Sequence, residues 1–168
     1  MPDTFIKIAS VTVGSGGSAS ISFTSIPADY TDLCLKYSTR LVGGGVAATD
    51  LLSLNGSTST FTCKNLQGAG SGTPSSGSGT REIGLNNGNS STASTFANSE
   101  IYFTNYASSS NKSYSVDSVT ENNATTAYTQ LVAGLWSTSS AITSITITPD
   151  TSSYAQYSTA VLYGIKNS

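Results

Sequence analysis

The chain has no histidine, and only 10% of its 168 residues carry charge, against about 25% in ordinary globular proteins. Without histidine there is no Ser-His-Asp or Cys-His catalysis, no imidazole metal ligand, and none of the commonest general base. Cysteine is scarce: Cys34 and Cys63 stand alone. Two thiols without an imidazole make no ordinary zinc site. They permit one disulfide, but a chain kept in a cytoplasm holds its thiols reduced. The expectation is two plain thiols, with Cys63 buried in a strand. Lys36, on the same strand face as Cys34, is the one neighbour that could lower a thiol pKa.

Positive charge is equally sparse. Seven Lys and Arg are scattered along a chain of net charge -2, and no basic stripe exists to displace counterions from phosphates. This excludes nucleic acid as the main partner. No apolar run approaches the ~20 residues that span a bilayer, so no membrane partner is expected. The opening MPDTFIKIAS lacks the basic and apolar regions of a signal peptide, which implies synthesis in a cytoplasm. The nine acids (Asp3, Asp29, Asp32, Asp50, Glu82, Glu100, Asp117, Glu121 and Asp150) show no spacing that singles out a catalytic pair. The Gly-rich stretch 68–79 has neither the Lys nor the following helix of a phosphate cradle. No EF-hand spacing occurs. The chain therefore reads as a non-enzyme with no catalytic residue, no cofactor and no metal.

What fills the space is hydroxyl. Ser and Thr make up roughly a third of the sequence, and Val, Ile, Thr and Tyr recur in alternation. Alternation with period two marks half-buried strands. In 31–42 (TDLCLKYSTRLV), Leu33, Leu35, Tyr37, Thr39 and Leu41 share a core face. Asp32, Cys34, Lys36, Ser38 and Arg40 share the other, toward solvent or a partner. In 18–26, Ala19, Ile21 and Phe23 face inward. In 4–13, Phe5 and Lys7 point one way, and Ile6, Ile8, Ser10 and Thr12 the other. The Gly14–Gly17 turn suggests a hairpin between these two runs, and Asn55-Gly56 suggests another between 49–55 and 60–66. Further strands are expected at 95–104, 112–121, 126–136, 141–148 (with a bulge near Ser144) and 156–165.

Residues 67–80 and 86–94 read as flexible, protruding Gly/Ser-rich loops, with only a short ordered piece at 81–85 between them. The tyrosines and Trp136 of the second half read as core or strand-pair residues more readily than as a sugar-binding surface. The chain is long enough for one domain. The expected fold is an all-β, jelly-roll-like two-sheet β-sandwich of about eight to ten antiparallel strands with no substantial helix, with an immunoglobulin-like sandwich or a small barrel as the alternatives.

An ordered set of motifs adds a resemblance. The opening FIKIASVTVGSGGSASISFTSIPADYTDLCLKYSTR, then EIYFTNYASSSNKSYSVDSVTENN, GLWSTSSAITSITITP and the closing STAVLYGIK resemble structural proteins of tailed bacteriophages, notably phages of cyanobacteria and marine bacteria. The likeness spans nearly the whole chain and is thinnest over 67–94. It implies a virion protein made in a host bacterium, with no enzymatic residues. A capsid cement or decoration protein bound to the major capsid protein is the first expectation, and a fibre or knob module binding host glycans the second. Symmetry at such positions favours a homotrimer, then a dimer. Candidate partner-contact residues are Phe5, Lys7, Lys36, Arg40 and Arg81.

Overall fold

A computed structural model describes residues 4–70, 73–123 and 126–166. Twelve strands and no helix occur among the described residues. Eight are β1 (Phe5–Thr12), β3 (Asp32–Thr39), β5 (Phe61–Gly68), β6 (Ser75–Gly79), β8 (Ala97–Phe103), β9 (Lys112–Val119), β10 (Thr129–Trp136) and β12 (Thr159–Ile165). They form one sheet in the order β1-β12-β3-β8-β9-β10-β5-β6. The others are β2 (Ile21–Phe23), β4 (Ala47–Leu54), β7 (Glu82–Asn87) and β11 (Ile145–Pro149), in the order β2-β11-β4-β7. Every pair of neighbouring strands is antiparallel.

This order is a jelly roll with two additions. Taken alone, β1, β2, β3, β4, β7, β8, β11 and β12 form two facing four-stranded sheets, β1-β12-β3-β8 and β2-β11-β4-β7. Numbered one to eight along the chain, these frame strands run 1-8-3-6 and 2-7-4-5, the interleaving made by two Greek keys. β5 with β6, and β9 with β10, are insertions that widen the first sheet beyond β8. The count of twelve exceeds the expected eight to ten because of this extension.

One hydrophobic cluster lies between the sheets. Leu33, Leu35, Leu41, Ile101, Phe103 and Leu162 of one side meet Ile21, Leu52, Leu54, Ile83, Ile145 and Ile147 of the other. In 31–42 the face of Leu33, Leu35, Tyr37, Thr39 and Leu41 is buried and Lys36 is exposed. Asp32 and Cys34, expected toward solvent or a partner, are buried too, because Tyr102 and Asn105 close on Asp32 and Tyr102 and Tyr163 flank Cys34.

Both expected hairpins are overturned. β1 and β2 lie in different sheets, as do β4 and β5. The Asn55-Gly56 turn does form, with φ of 52° and 73°, as the hairpin turn requires. Leu54 and Ser57 exchange backbone hydrogen bonds across it, and the chain then crosses to the other sheet. Asn55 fixes that crossing: its Oδ1 accepts from the Thr143 and Ser144 N–H groups at 2.8 and 3.0 Å. Residues 141–144 are thus held irregular, and β11 begins only at Ile145.

The reading of 4–13 also changes. The register with β12 slips between Lys7 and Ala9, so a bulge at Ile8 reverses the alternation. Ser10 and Thr12 join Phe5 and Lys7 on the exposed face, while Ile8, Ala9 and Val11 pack on the core. Ala19 is exposed, because β2 starts only at Ile21.

The two Gly/Ser segments are more ordered than their composition suggests. Of 67–80, Gln67 and Gly68 extend β5 and Ser75–Gly79 is a strand, while residues 71 and 72 lie outside the described residues. In 86–94, Asn86 and Asn87 are buried in β7. The turn after them is tied to 43–46 through Gly88 N–H to Val46 O (2.9 Å), Asn89 N–H to Gly43 O (3.0 Å) and Ser90 N–H to Gly45 O (2.8 Å).

Candidate interaction face

The inner face of the eight-stranded sheet meets the core, and its outer face has no covering layer among the described residues. Strand register fixes which side chains meet there. One row reads Lys7, Tyr163, Cys34, Tyr102, Ser115, Ala133, Lys64 and Ser78 across β1 to β6. The next reads Ser10, Val161, Lys36, Glu100, Asp117, Leu131, Leu66 and Ser76. The face is therefore aromatic toward β1, charged in the middle and apolar toward β6.

At the aromatic end, Phe5 packs edge-on against Tyr163, with ring centroids 6.0 Å apart. The Tyr102 hydroxyl donates to Asp32 Oδ2 at 2.7 Å, and Asp32 Oδ1 accepts from the Asn105 N–H, also at 2.7 Å. Burial, then the hydrogen bond to the Asp32 carboxylate, pushes the Tyr102 hydroxyl up to about 12. Cys34 lies beneath these rings, fully buried. Burial, followed by the Glu100 carboxylate, pushes its thiol up to about 11, away from reactivity. The Lys36 ammonium, bound to Glu100 at 2.6 Å, pulls the thiol the other way but is outweighed by burial and by Glu100. That hydrogen bond raises the Lys36 pKa above its ordinary value. Both cysteines are free thiols, and Cys63 is buried in β5.

In the middle, Glu100 and Asp117 stand directly opposite each other on β8 and β9. They line an open polar depression of about 200 Å³ with Lys36, Asn98 and Val119. Like charges placed across a strand pair repel, and the Lys36 ammonium offsets this on one side. Sequence spacing alone does not bring these two acids together. At the apolar end, Leu66 (53% exposed) and Leu131 (55%) form a hollow of about 370 Å³ with Pro74, Gly68 and Thr129. Val119 extends the patch.

Of the five candidate contact residues, the outer face collects Phe5, Lys7 and Lys36. Arg40 is engaged elsewhere. Its guanidinium donates to the carbonyls of Thr92 (2.9 Å), Thr95 (3.0 Å) and Ser91 (3.0 Å), and so clasps the turn that follows β7. Arg81 donates to Leu52 O at 3.3 Å, where β4 meets β7. The residues that sequence reasoning missed are Leu66, Leu131 and Val119. Leu66 and Val119 were signalled as apolar residues on otherwise polar strand faces, whereas Leu131 shares its face with Ala133 and Leu135 and carried no such signal.

Most second-half aromatics are structural. Phe103, Tyr106, Trp136 and Tyr154 are buried, whereas Tyr157 is exposed. No group of three metal-ligating side chains occurs among the described residues.

No family model and no curated protein matches this sequence. Among solved structures, the chain aligns over 99% of its length with a β-fructofuranosidase from Schwanniomyces occidentalis complexed with fructosyl-erythritol. It spans about a third (35%) of that protein, at 10% identity and a TM-score of 0.30. A likeness of that size carries no argument about fold or function.

Proposed function

We propose that this protein is a non-catalytic structural component of a tailed-phage virion, seated on the outside of the capsid as a cement or decoration protein. The observation that carries the reading is the uncovered outer face of the eight-stranded sheet. The inserted strands widen it, and it keeps an apolar hollow at Leu66 and Leu131 that the fold itself does not need. A broad polar face that carries an exposed apolar patch is the build of a protein–protein contact. The whole-chain motif resemblance supports the same reading, and jelly rolls recur in viral capsid proteins. Fold analogy is a weaker support than the face, because one fold hosts many functions. The partner is then the major capsid protein.

A second reading, a glycan-binding fibre or knob module, is favoured by one feature. Tyr128 and Glu121 border a further hollow of about 230 Å³ beside Val119 and Thr129, an aromatic next to an acceptor as sugars prefer.

Quantitative mass spectrometry of purified particles separates the two. A cement protein is present at the copy number of the capsid lattice, and a fibre module at that of tail proteins. Leu131→Asp, on the outer face, is expected to leave the fold intact and abolish binding to empty heads. Copy number matching the portal or tail would sink the cement reading. So would heads lacking the protein that resist heat and chelators as well as complete ones.

A further inference from the structure

The eight-stranded sheet ends on two strands of opposite character. β6 is SSGSG, without charge, bulge or internal proline, and nearly all of it is exposed. No strand among the described residues pairs with its outer side. Its backbone N–H and C=O groups on that side form a template for one more strand. Its inward-facing Gly77 and Gly79 lie under Asn65 and Glu82. Its outward-facing Ser76 and Ser78 are too small to screen Leu66 in the strand behind.

β1, at the other end, presents Phe5 and Lys7 on the same outer face, with Phe5 51% exposed despite its contact with Tyr163. Eight antiparallel strands make β1 and β6 run in opposite directions. A second copy laid alongside in the same orientation therefore offers its β1 to β6 in the antiparallel sense, with the outer faces continuous. Phe5 of that copy arrives on the face that holds the Leu66–Leu131 hollow. β6 itself carries no charge, and with Phe5 opposite Ser76 the antiparallel register sets Lys7 opposite Pro74, away from the Lys64 ammonium that donates to Ser78.

We propose that β6 of one copy takes β1 of a second copy as its next strand, with the second copy's Phe5 packing over Leu66 and Pro74 at the β6 side of the hollow and leaving Leu131, three strands away, open. The contact is head-to-tail. Each end of a pair stays competent, so copies close into a ring or extend further. This inference does not rest on the virion role: copies could associate in the absence of any capsid, and capsid binding could fail without affecting it.

The test is sedimentation velocity of the full chain at micromolar concentrations, with circular dichroism as the control for folding. The wild type should sediment above the monomer. Phe5→Asp disables β1 and Ser76→Lys disables β6. Both positions are exposed, and each variant alone should be monomeric. Mixing the two leaves one intact β1 and one intact β6, and should restore a dimer and nothing larger. Should Ser76→Lys lose its fold, Ser76→Glu replaces it in the same scheme. A monomeric wild type would overturn the proposal. So would a Phe5→Asp protein that still associates, which is the signature of β6-to-β6 pairing, or a mixture that stays monomeric.

Discussion

The jelly-roll frame and the extension built from β9, β10, β5 and β6 close their inner faces by different means. In the frame, sheet lies on sheet, and Leu35, Leu52, Ile83, Ile101, Ile147 and Leu162 are wholly buried between them. Past β7 the second sheet has ended, and the extension's glycines lie under a tyrosine of its own and under Glu82 at the start of β7. The Tyr114 ring lies where a Cβ on Gly134 would stand, and the Glu82 carboxylate does the same over Gly79. Phe61 stacks on Trp136 with centroids 6.0 Å apart, and the Cys63 thiol donates to Glu82 at 3.2 Å. A sheet can thus be widened past its partner if aromatic and acidic side chains serve as the missing layer. The frame encloses the Asp50 carboxyl between its sheets, whereas the extension has no room for a side chain at Gly134. Each half has its own weak point.

The frame's weak point is Asp50. It sits at a bulge in β4, fully buried, and its Oδ1 accepts from the Tyr154 hydroxyl at 2.7 Å. Its Oδ2 has no hydrogen-bond partner among the described residues. The other groups facing it are Asn86 of β7, Tyr37 of β3 and Asp150 beyond β11. Burial is the largest cause and raises the carboxyl from 3.8 to about 7, against the lowering effect of Tyr154 and Asn86. The folded state therefore holds its proton more tightly than the unfolded state does. That contribution is complete below the unfolded value and is lost as pH rises through the folded one. Stability should fall between about pH 4 and pH 7 by roughly 4 kcal/mol from this group, then level off. Urea denaturation across that range measures the slope, and Asp50→Asn should flatten it. An equal slope in the variant would show that the frame does not force this carboxyl neutral.

Gly134→Ala tests the extension. The added methyl meets the Tyr114 ring, which cannot retreat because it also packs on Phe103 at 5.7 Å. A loss of about 1–3 kcal/mol is expected, the usual size for overpacking. Amide exchange should quicken in β5, β6 and β10 while β3 and β12 keep their protection, because the strain lies outside the frame. Uniform loss of protection would erase the distinction between the two regions.

The alternation of β3 was legible because Leu33, Leu35 and Tyr37 alternate with Asp32, Lys36 and Ser38. The sheet order was not. Turn residues such as Gly14–Gly17 and Asn55-Gly56 announce a reversal, but they do not say whether the next strand stays in the same sheet. β6 was invisible for a related reason. Ser and Gly are poor strand formers, and the strand exists because Asn65 and Glu82 fill the space its side chains leave empty. Arg40 reads as a partner contact on the outer face of the 31–42 run, but it lies past the end of β3, and the carbonyls that hold it lie some fifty residues further along the chain. The Glu100–Asp117 pair needed the β8–β9 register, which no spacing rule supplies.

That pair marks the seam between the two regions on the outer face, and it gives the smallest effect. Lys36 belongs to the frame, Asp117 to the extension, and Glu100 stands between them. If the ammonium offsets repulsion across the seam, Lys36→Ala should cost more than an isolated exposed ion pair, yet still under about 1 kcal/mol. Asp117→Asn should be neutral or slightly stabilising, and the double variant should recover part of the loss. All three differences should shrink in high salt, because the groups are exposed. A double-mutant cycle by chemical denaturation reads the coupling directly. Additive losses would mean that the frame and the extension meet here without electrostatic contact, and that the outer face is two adjoining surfaces rather than one.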